Sequence, residues 1–210
     1  ADFASLGRLG IRTVCDFRST DERNAAPVKW PGSVTPHVFA DDYKMDMAGW
    51  DFRAAGAWTG AQARAAMAAS YPQTLTHFNG QYRRMFAQLL AGQVPLAFNC
   101  SAGKDRTGVA AALILTALDV PRATVIDDYL LSNRYFDPAR GMAADDPAML
   151  VWGRLPPDVL RALMGVERSY IEAVFRVIDA HPGGATGYLR DELGLGRSEL
   201  ARLRQLYTRG

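Results

Sequence analysis

Two hydrophobic rhythms alternate along the chain. Short apolar runs of strand length lie at Ile11 to Phe17, Val34 to Phe39 and Val94 to Phe98. Longer stretches repeat apolar residues every three or four positions, the helical period. Thr74 to Leu90 does so through Phe78, Tyr82, Phe86 and Leu89. Val109 to Leu118, Arg122 to Tyr135 and Val166 to Ala180 read the same way, and Gly187 to Tyr207 reads as a helical pair. Residues 3–10 look like a helix end closed by Gly10. Strands alternating with helices predict an α/β domain, with a short, mostly parallel central sheet flanked by helices. Residues 136–157 hold Pro138, Gly141, Pro147, Pro156 and Pro157 and read as a loop, too short for a domain boundary. One domain over 1–210 is expected.

The pattern places one polar stretch at a telling junction. Asn99-Cys100-Ser101-Ala102-Gly103-Lys104-Asp105-Arg106-Thr107-Gly108 joins the end of the third strand to the start of a helix. At such a junction the first backbone N–H groups of the helix have no partners, and the helix dipole adds partial positive charge. That makes a ready anion site. A thiol there favours its thiolate form. Arg106 adds a planar fork that matches two phosphate oxygens. A nucleophilic Cys100 in a phosphate cradle implies attack on phosphorus. The bland reading is a buried structural cysteine beside a glycine turn. Two glycines, Thr107 and the strand–helix context argue against it.

Cys-x5-Arg-Thr followed by Gly resembles the cysteine-dependent protein tyrosine phosphatase superfamily. The longer Cys-Ser-Ala-Gly-Lys-Asp-Arg-Thr-Gly is similar to its bacterial dual- and triple-specificity branch, which mycobacterial phosphatase B represents. Three further stretches extend the resemblance over roughly residues 6–207: Asp16-Phe17-Arg18-Ser19, Asp128-Tyr129-Leu130-Leu131-Ser132-Asn133, and Gly183 to Leu189. The resemblance implies a protein tyrosine phosphatase-like fold and hydrolysis through a cysteinyl phosphate. Substrate phosphate would sit on Ser101, Ala102, Gly103, Lys104, Asp105 and Arg106, with Cys100 as nucleophile. Thr107 would give the thiolate a hydroxyl hydrogen bond or cap the helix. The implied substrates are phosphotyrosine, phosphoserine/threonine and phosphoinositides, carried by a phosphoprotein or phospholipid, with inorganic phosphate as product. The implied mechanism needs no cofactor.

The leaving oxygen needs a general acid. The family's Phe-x-Asp pattern matches Phe39-Ala40-Asp41, which ranks Asp41 first, then Asp42 and Asp46. Asp105, inside the loop, is the second candidate. Arg18 and Glu22 are expected to form a structural ion pair. Related enzymes carry helical lids near 43–72, where Trp50, Phe52 and Trp58 precede the small-residue run Ala61 to Ala69. The segment is read as a lid insertion or an Ala-rich surface helix. Lys104 is read as a flexible cation that adds charge beyond what phosphotyrosine needs.

One position departs from the family: Asn99 stands where a His usually precedes the nucleophile. Asn cannot carry positive charge. An active enzyme, a weakened variant and a phosphate-binding pseudophosphatase are the three readings this leaves. A rhodanese-like sulfur carrier is a fourth, disfavoured by the Gly-Lys-Asp-Arg-Thr-Gly tail. Asn99-Cys100-Ser101 also spells a glycosylation sequon, at a strand end that is a poor acceptor.

Composition narrows the rest. A chain of 210 residues with net charge +2 gives no reason to expect nucleic acid as a partner. No apolar run approaches a membrane span. Two cysteines are too few for a disulfide scaffold. Cys15 reads as an inert core thiol, with a reversible disulfide to Cys100 as the alternative. His37, His77 and His181 match no metal spacing. The chain starts at Ala1 without Met, which suggests a trimmed product and leaves cytoplasmic and secreted locations equally open.

Overall fold

A computed structural model of the chain describes residues 7–30, 35–45, 57–136 and 153–209. In chain order its elements are β1 (Thr13–Asp16), α1 (Thr20–Ala25), β2 (His37–Ala40), α2 (Gly60–Leu90), β3 (Leu96–Asn99), α3 (Arg106–Ala117), α4 (Arg122–Leu130), α5 (Ser132–Tyr135), α6 (Pro157–Met164), α7 (Arg168–Ala180), α8 (Gly184–Leu193) and α9 (Arg197–Tyr207). The sheet is parallel throughout, in the order β2-β1-β3. Thr13 lies opposite His37 and Leu96; Asp16 lies opposite Ala40 and Asn99. All three strands therefore end at the same edge. The loops after Asp16, Ala40 and Asn99 converge there, as ligand-binding loops do in open parallel sheets. No helix among the described residues is long and apolar enough to cross a membrane.

β1 is buried along its whole length, as a central parallel strand covered on both faces must be. Phe17, just past it, meets Tyr82 of α2 edge-on at 5.3 Å. The sheet and α2 thus share one core.

α2 corrects the expected helix start. It begins at Gly60, not Thr74, and runs through Pro72. A proline inside a helix removes one N–H and crowds the preceding turn. Tertiary burial overrides that cost. Ala63, Met67, Tyr71, Leu75 and Phe78 are all buried at helical spacing, where the helix packs on α6 and α7. The Ala-rich run turns Ala63 and Met67 into the core, while Ala61, Ala65 and Ala69 stay at the surface. Thr59 and Gln62 form a capping box at its start, and Asp158 of α6 accepts from the Gly60 N–H at 2.7 Å. Trp58 packs against the core. Asp46, Trp50 and Phe52 lie outside the described residues.

Three smaller differences are local. α1 was not expected; a Ser19–Glu22 capping box starts it. α6 starts with Pro157 in its first turn, where a missing N–H costs nothing. The helix expected over 122–135 is divided at Leu131 into α4 and α5.

Candidate active site

The stretch after β3 turns sharply before α3 begins at Arg106. Gly103 takes a φ of +70°, a left-handed conformation that glycine adopts without strain. The N–H groups of Ser101 to Arg106 donate no hydrogen bond among the described residues. They leave a run of open donors leading into the α3 N-terminus, the kind of backbone stretch that can hold an anion. Cys100, just before this run, is 7% exposed. Tyr82 fixes the rear of the loop by donating to the Arg106 carbonyl at 2.9 Å.

Among the described residues, Arg106 is held through its two terminal nitrogens. Its NH1 donates to the Phe17 carbonyl at 3.0 Å, to Tyr43 Oη at 2.8 Å and to Glu22 Oε2 at 2.7 Å. NH2 donates to Glu22 Oε1 at 2.7 Å. Nε makes no hydrogen bond among the described residues. Nε–H and the second NH2 hydrogen remain as a side-on fork for two phosphate oxygens. Burial opposes the guanidinium charge, but the Glu22 hydrogen bonds and the nearby Cys100 and Glu22 charges outweigh it and raise the Arg106 pKa.

Glu22 does more than pair with an arginine. It also accepts from Ser101 Oγ at 2.5 Å and from the Ser19 N–H at 2.7 Å. It thus ties the first residue of the loop to the last. Burial disfavours its charge, yet the bonds from Arg106, Ser101 and Ser19 win and bring its pKa down to about 2. The expected Arg18–Glu22 pair is not formed. Arg18 instead donates through Nε and NH2 to Asp16 at 2.9 and 2.7 Å. Asp16 ends β1, two residues earlier, and its carboxylate reaches Arg18 directly.

Three loop residues differ from expectation. Lys104 is not a flexible cation: it is 5% exposed. Its Nζ donates to Asp105 at 3.0 Å and to the carbonyls of Leu163 and Gly165 at 3.2 and 3.4 Å. The ammonium thus sits on the negative end of α6. Thr107 Oγ1 is buried with no hydrogen-bond partner among the described residues, so it neither caps α3 nor bonds the resting sulfur. Asn99 donates to Asp16 Oδ1 at 3.1 Å and belongs to the strand-end network.

The acid candidates separate. Asp41 pairs with Arg84, and its carbonyl accepts from Arg23 at 2.8 Å. Asp42 pairs with Arg23 at 2.5 Å but is largely exposed. Asp105 accepts from Tyr71 at 2.5 Å and from Lys104. Asp41, Tyr43, Tyr71, Phe78, Asp105 and Arg106 line one cleft of about 630 Å³. Tyr43 and Phe78 meet edge-on there at 5.4 Å, giving the cleft an aromatic wall.

Residues 1–209 match the profile of the tyrosine phosphatase family. The chain belongs to this family. The phosphatase is 34% identical, over its full length and 74% of the relative, to a Cupriavidus necator protein whose name places it among the tyrosine-protein phosphatases. It is 30% identical to the triple specificity protein phosphatase PtpB of Mycobacterium tuberculosis, across 96% of the chain and 83% of the relative. A Nostoc commune tyrosine-protein phosphatase shares 28% identity, across 97% of the chain and 68% of the relative. These names give the sulfur-carrier and binding-module readings no support.

Sequence reasoning missed three residues of the phosphatase site. Glu22 had a readable signal: Ser19-x-x-Glu22 is a capping-box pattern, and the cap sets the carboxylate beside the loop. Tyr43 lies in the loop that supplied the acid candidates Asp41 and Asp42, but nothing in the sequence marks its hydroxyl as a partner of Arg106. Tyr71 lies at core spacing with Met67, Leu75 and Phe78, and only its hydroxyl distinguishes it.

Proposed function

We propose that the phosphatase hydrolyses phosphotyrosine through a cysteinyl phosphate on Cys100, with phosphoserine/threonine and phosphoinositides as slower substrates. The supporting observation is the Glu22–Arg106 clasp. It fixes the guanidinium beside the nucleophile with Nε facing away from its protein partners. Phosphate sits on the N–H groups of Ser101 to Arg106, and Arg106 grips two of its oxygens. Cys100 Sγ attacks phosphorus in line as the ester oxygen leaves. Positioning and charge stabilisation do most of the work in such a transfer.

Asp41, on the cleft wall, protonates the leaving oxygen. Water then attacks the phosphoenzyme, phosphate leaves and the sulfur regains its electron pair. The unpartnered Thr107 hydroxyl donates to the sulfur as that charge returns. An unsatisfied buried hydroxyl costs about 1–3 kcal/mol, which this bond recovers.

The substrate order follows from the walls. The aromatic face of Tyr43 and Phe78 suits a phenyl ring. Lys104 is committed to Asp105 and the α6 carbonyls, so it offers little to a second phosphate on an inositol ring. The triple-specificity name of the mycobacterial relative supports a range beyond phosphotyrosine. The test is turnover of a phosphotyrosine peptide, a phosphothreonine peptide and phosphoinositide vesicles, with Cys100→Ser as control. No turnover of the phosphotyrosine peptide from mildly acidic to neutral pH would end this reading.

A further inference from the structure

The Asp105 carboxylate sits at the end of a one-way chain of hydrogen bonds. Tyr71, buried in α2, donates its only hydroxyl proton to Asp105 Oδ1 at 2.5 Å. Tyr71 Oη also lies 2.5 Å from the Oη of Tyr129 in α4. With its proton already spent, Tyr71 can only accept there, so Tyr129 is the donor. The two rings meet edge-on at 6.3 Å, which fixes both hydroxyls. Lys104 Nζ reaches Asp105 from the other side, 3.0 Å from each carboxylate oxygen. Burial pushes both phenols up, and the Asp105 charge adds to this, so they remain proton-bearing.

Among the described residues, both side chains that bond the Asp105 carboxylate, Tyr71 and Lys104, are therefore donors. Oδ1 accepts from Tyr71 and Lys104 and is saturated. Oδ2 lies 3.0 Å from Lys104 Nζ as an ion-pair contact and accepts no hydrogen bond among the described residues, so its lone pairs stay open, while the residue borders the cleft. Asp41 lies on the same cleft in a different setting, beside Arg84. Two carboxylates in unlike surroundings are the usual arrangement for dividing acid and base work.

We propose that Tyr71, backed by Tyr129, is a positioning residue that reserves Asp105 for the second half-reaction. There Asp105 accepts a proton from the water that attacks the phosphoenzyme. The O–P bond forms as the P–S bond breaks. The electron pair returns to Cys100 Sγ, the proton passes to Asp105 Oδ2, and inorganic phosphate leaves. Asp41 retains the leaving-group step. This inference rests on the cysteinyl-phosphate reading.

Rapid-quench kinetics with a ³²P-labelled phosphotyrosine peptide separates the two steps. The burst reports phosphoenzyme formation, and the decay of labelled protein reports its hydrolysis. Tyr71→Phe should leave the burst rate within about twofold and slow phosphoenzyme decay about tenfold, a barrier rise of roughly 1.4 kcal/mol. Tyr129→Phe keeps the Tyr71 donor and should act in the same direction, less strongly. It carries the test alone if Tyr71→Phe does not fold. Equal slowing of both steps, or of neither, overturns the proposal while leaving the phosphatase reading intact. Absence of any labelled intermediate in the wild type removes the cysteinyl-phosphate reading and this proposal together.

Discussion

Glu22 and Arg106 meet fork to fork, at 2.7 Å on both arms, across 84 residues of chain. Oε1 also takes the Ser101 hydroxyl, so a single carboxylate ties the Cys100 loop at both ends. Glu22→Gln keeps the shape but loses the charge and one acceptor. A hydrogen bond between charged groups contributes about 1.5–3 kcal/mol, so kcat/KM for a phosphotyrosine peptide should fall about 10- to 100-fold. An unchanged value would show that Arg106 needs no such anchor.

The same carboxylate gives a pH signature. Its folded pKa is about 2 against an ordinary 4.5, so it binds fewer protons folded than unfolded near pH 4. The stability it contributes is present above about 4.5 and is lost as pH falls towards 2. Denaturant titrations should show a shallower acid loss of stability in Glu22→Gln than in wild type across that window. Parallel acid limbs would contradict the assignment.

The two thiols should react very differently. Burial pushes Cys15 up to about 11, partly offset by Arg84, which leaves almost no thiolate at neutral pH. Iodoacetate should alkylate Cys100 alone, and phosphate should protect it. Peptide mapping by mass spectrometry reads this out. Labelling of Cys15 in Cys100→Ser would overturn it.

Gly108 fits because Tyr129 lies against it. A Cβ there would come within 2.9 Å of two Tyr129 ring carbons. Alanine gains up to about 1 kcal/mol of helix propensity, but overpacking costs about 1–3 kcal/mol. Gly108→Ala should therefore lower Tm, by about 2–4 °C per kcal/mol of net loss. A raised Tm would show that α4 yields freely.

Asn99 stands where the family usually has a His, and its amide is bonded to Asp16. Asn99→His should change kcat by less than about tenfold, under roughly 1.4 kcal/mol. A gain of several hundredfold would mean the native site is weakened by Asn99.

The strand–turn–helix frame of the Cys100 loop was legible because its signals are local. Cys100, the turn at Gly103 and Arg106 are close in sequence, and strand and helix patterns frame them. The sheet was legible for a similar reason, since its strands are short apolar runs. What stayed hidden depends on distant contacts. Lys104 looks like a free cation until α6 presents its terminal carbonyls. Pro72 looks like a helix boundary until α6 and α7 bury the turns on both sides of it. Arg18 and Glu22 are spaced like partners, but Asp16 and Arg106 claim them first.

The central claim is that Cys100 takes the phosphoryl group while the Glu22-anchored Arg106 holds it. Acid quench of the wild-type protein during turnover of a ³²P-labelled phosphotyrosine peptide, followed by peptide mapping, tests this directly. Label is expected on the peptide that contains Cys100, and none in Cys100→Ser. Label on another residue, or full turnover by Cys100→Ser, would contradict it.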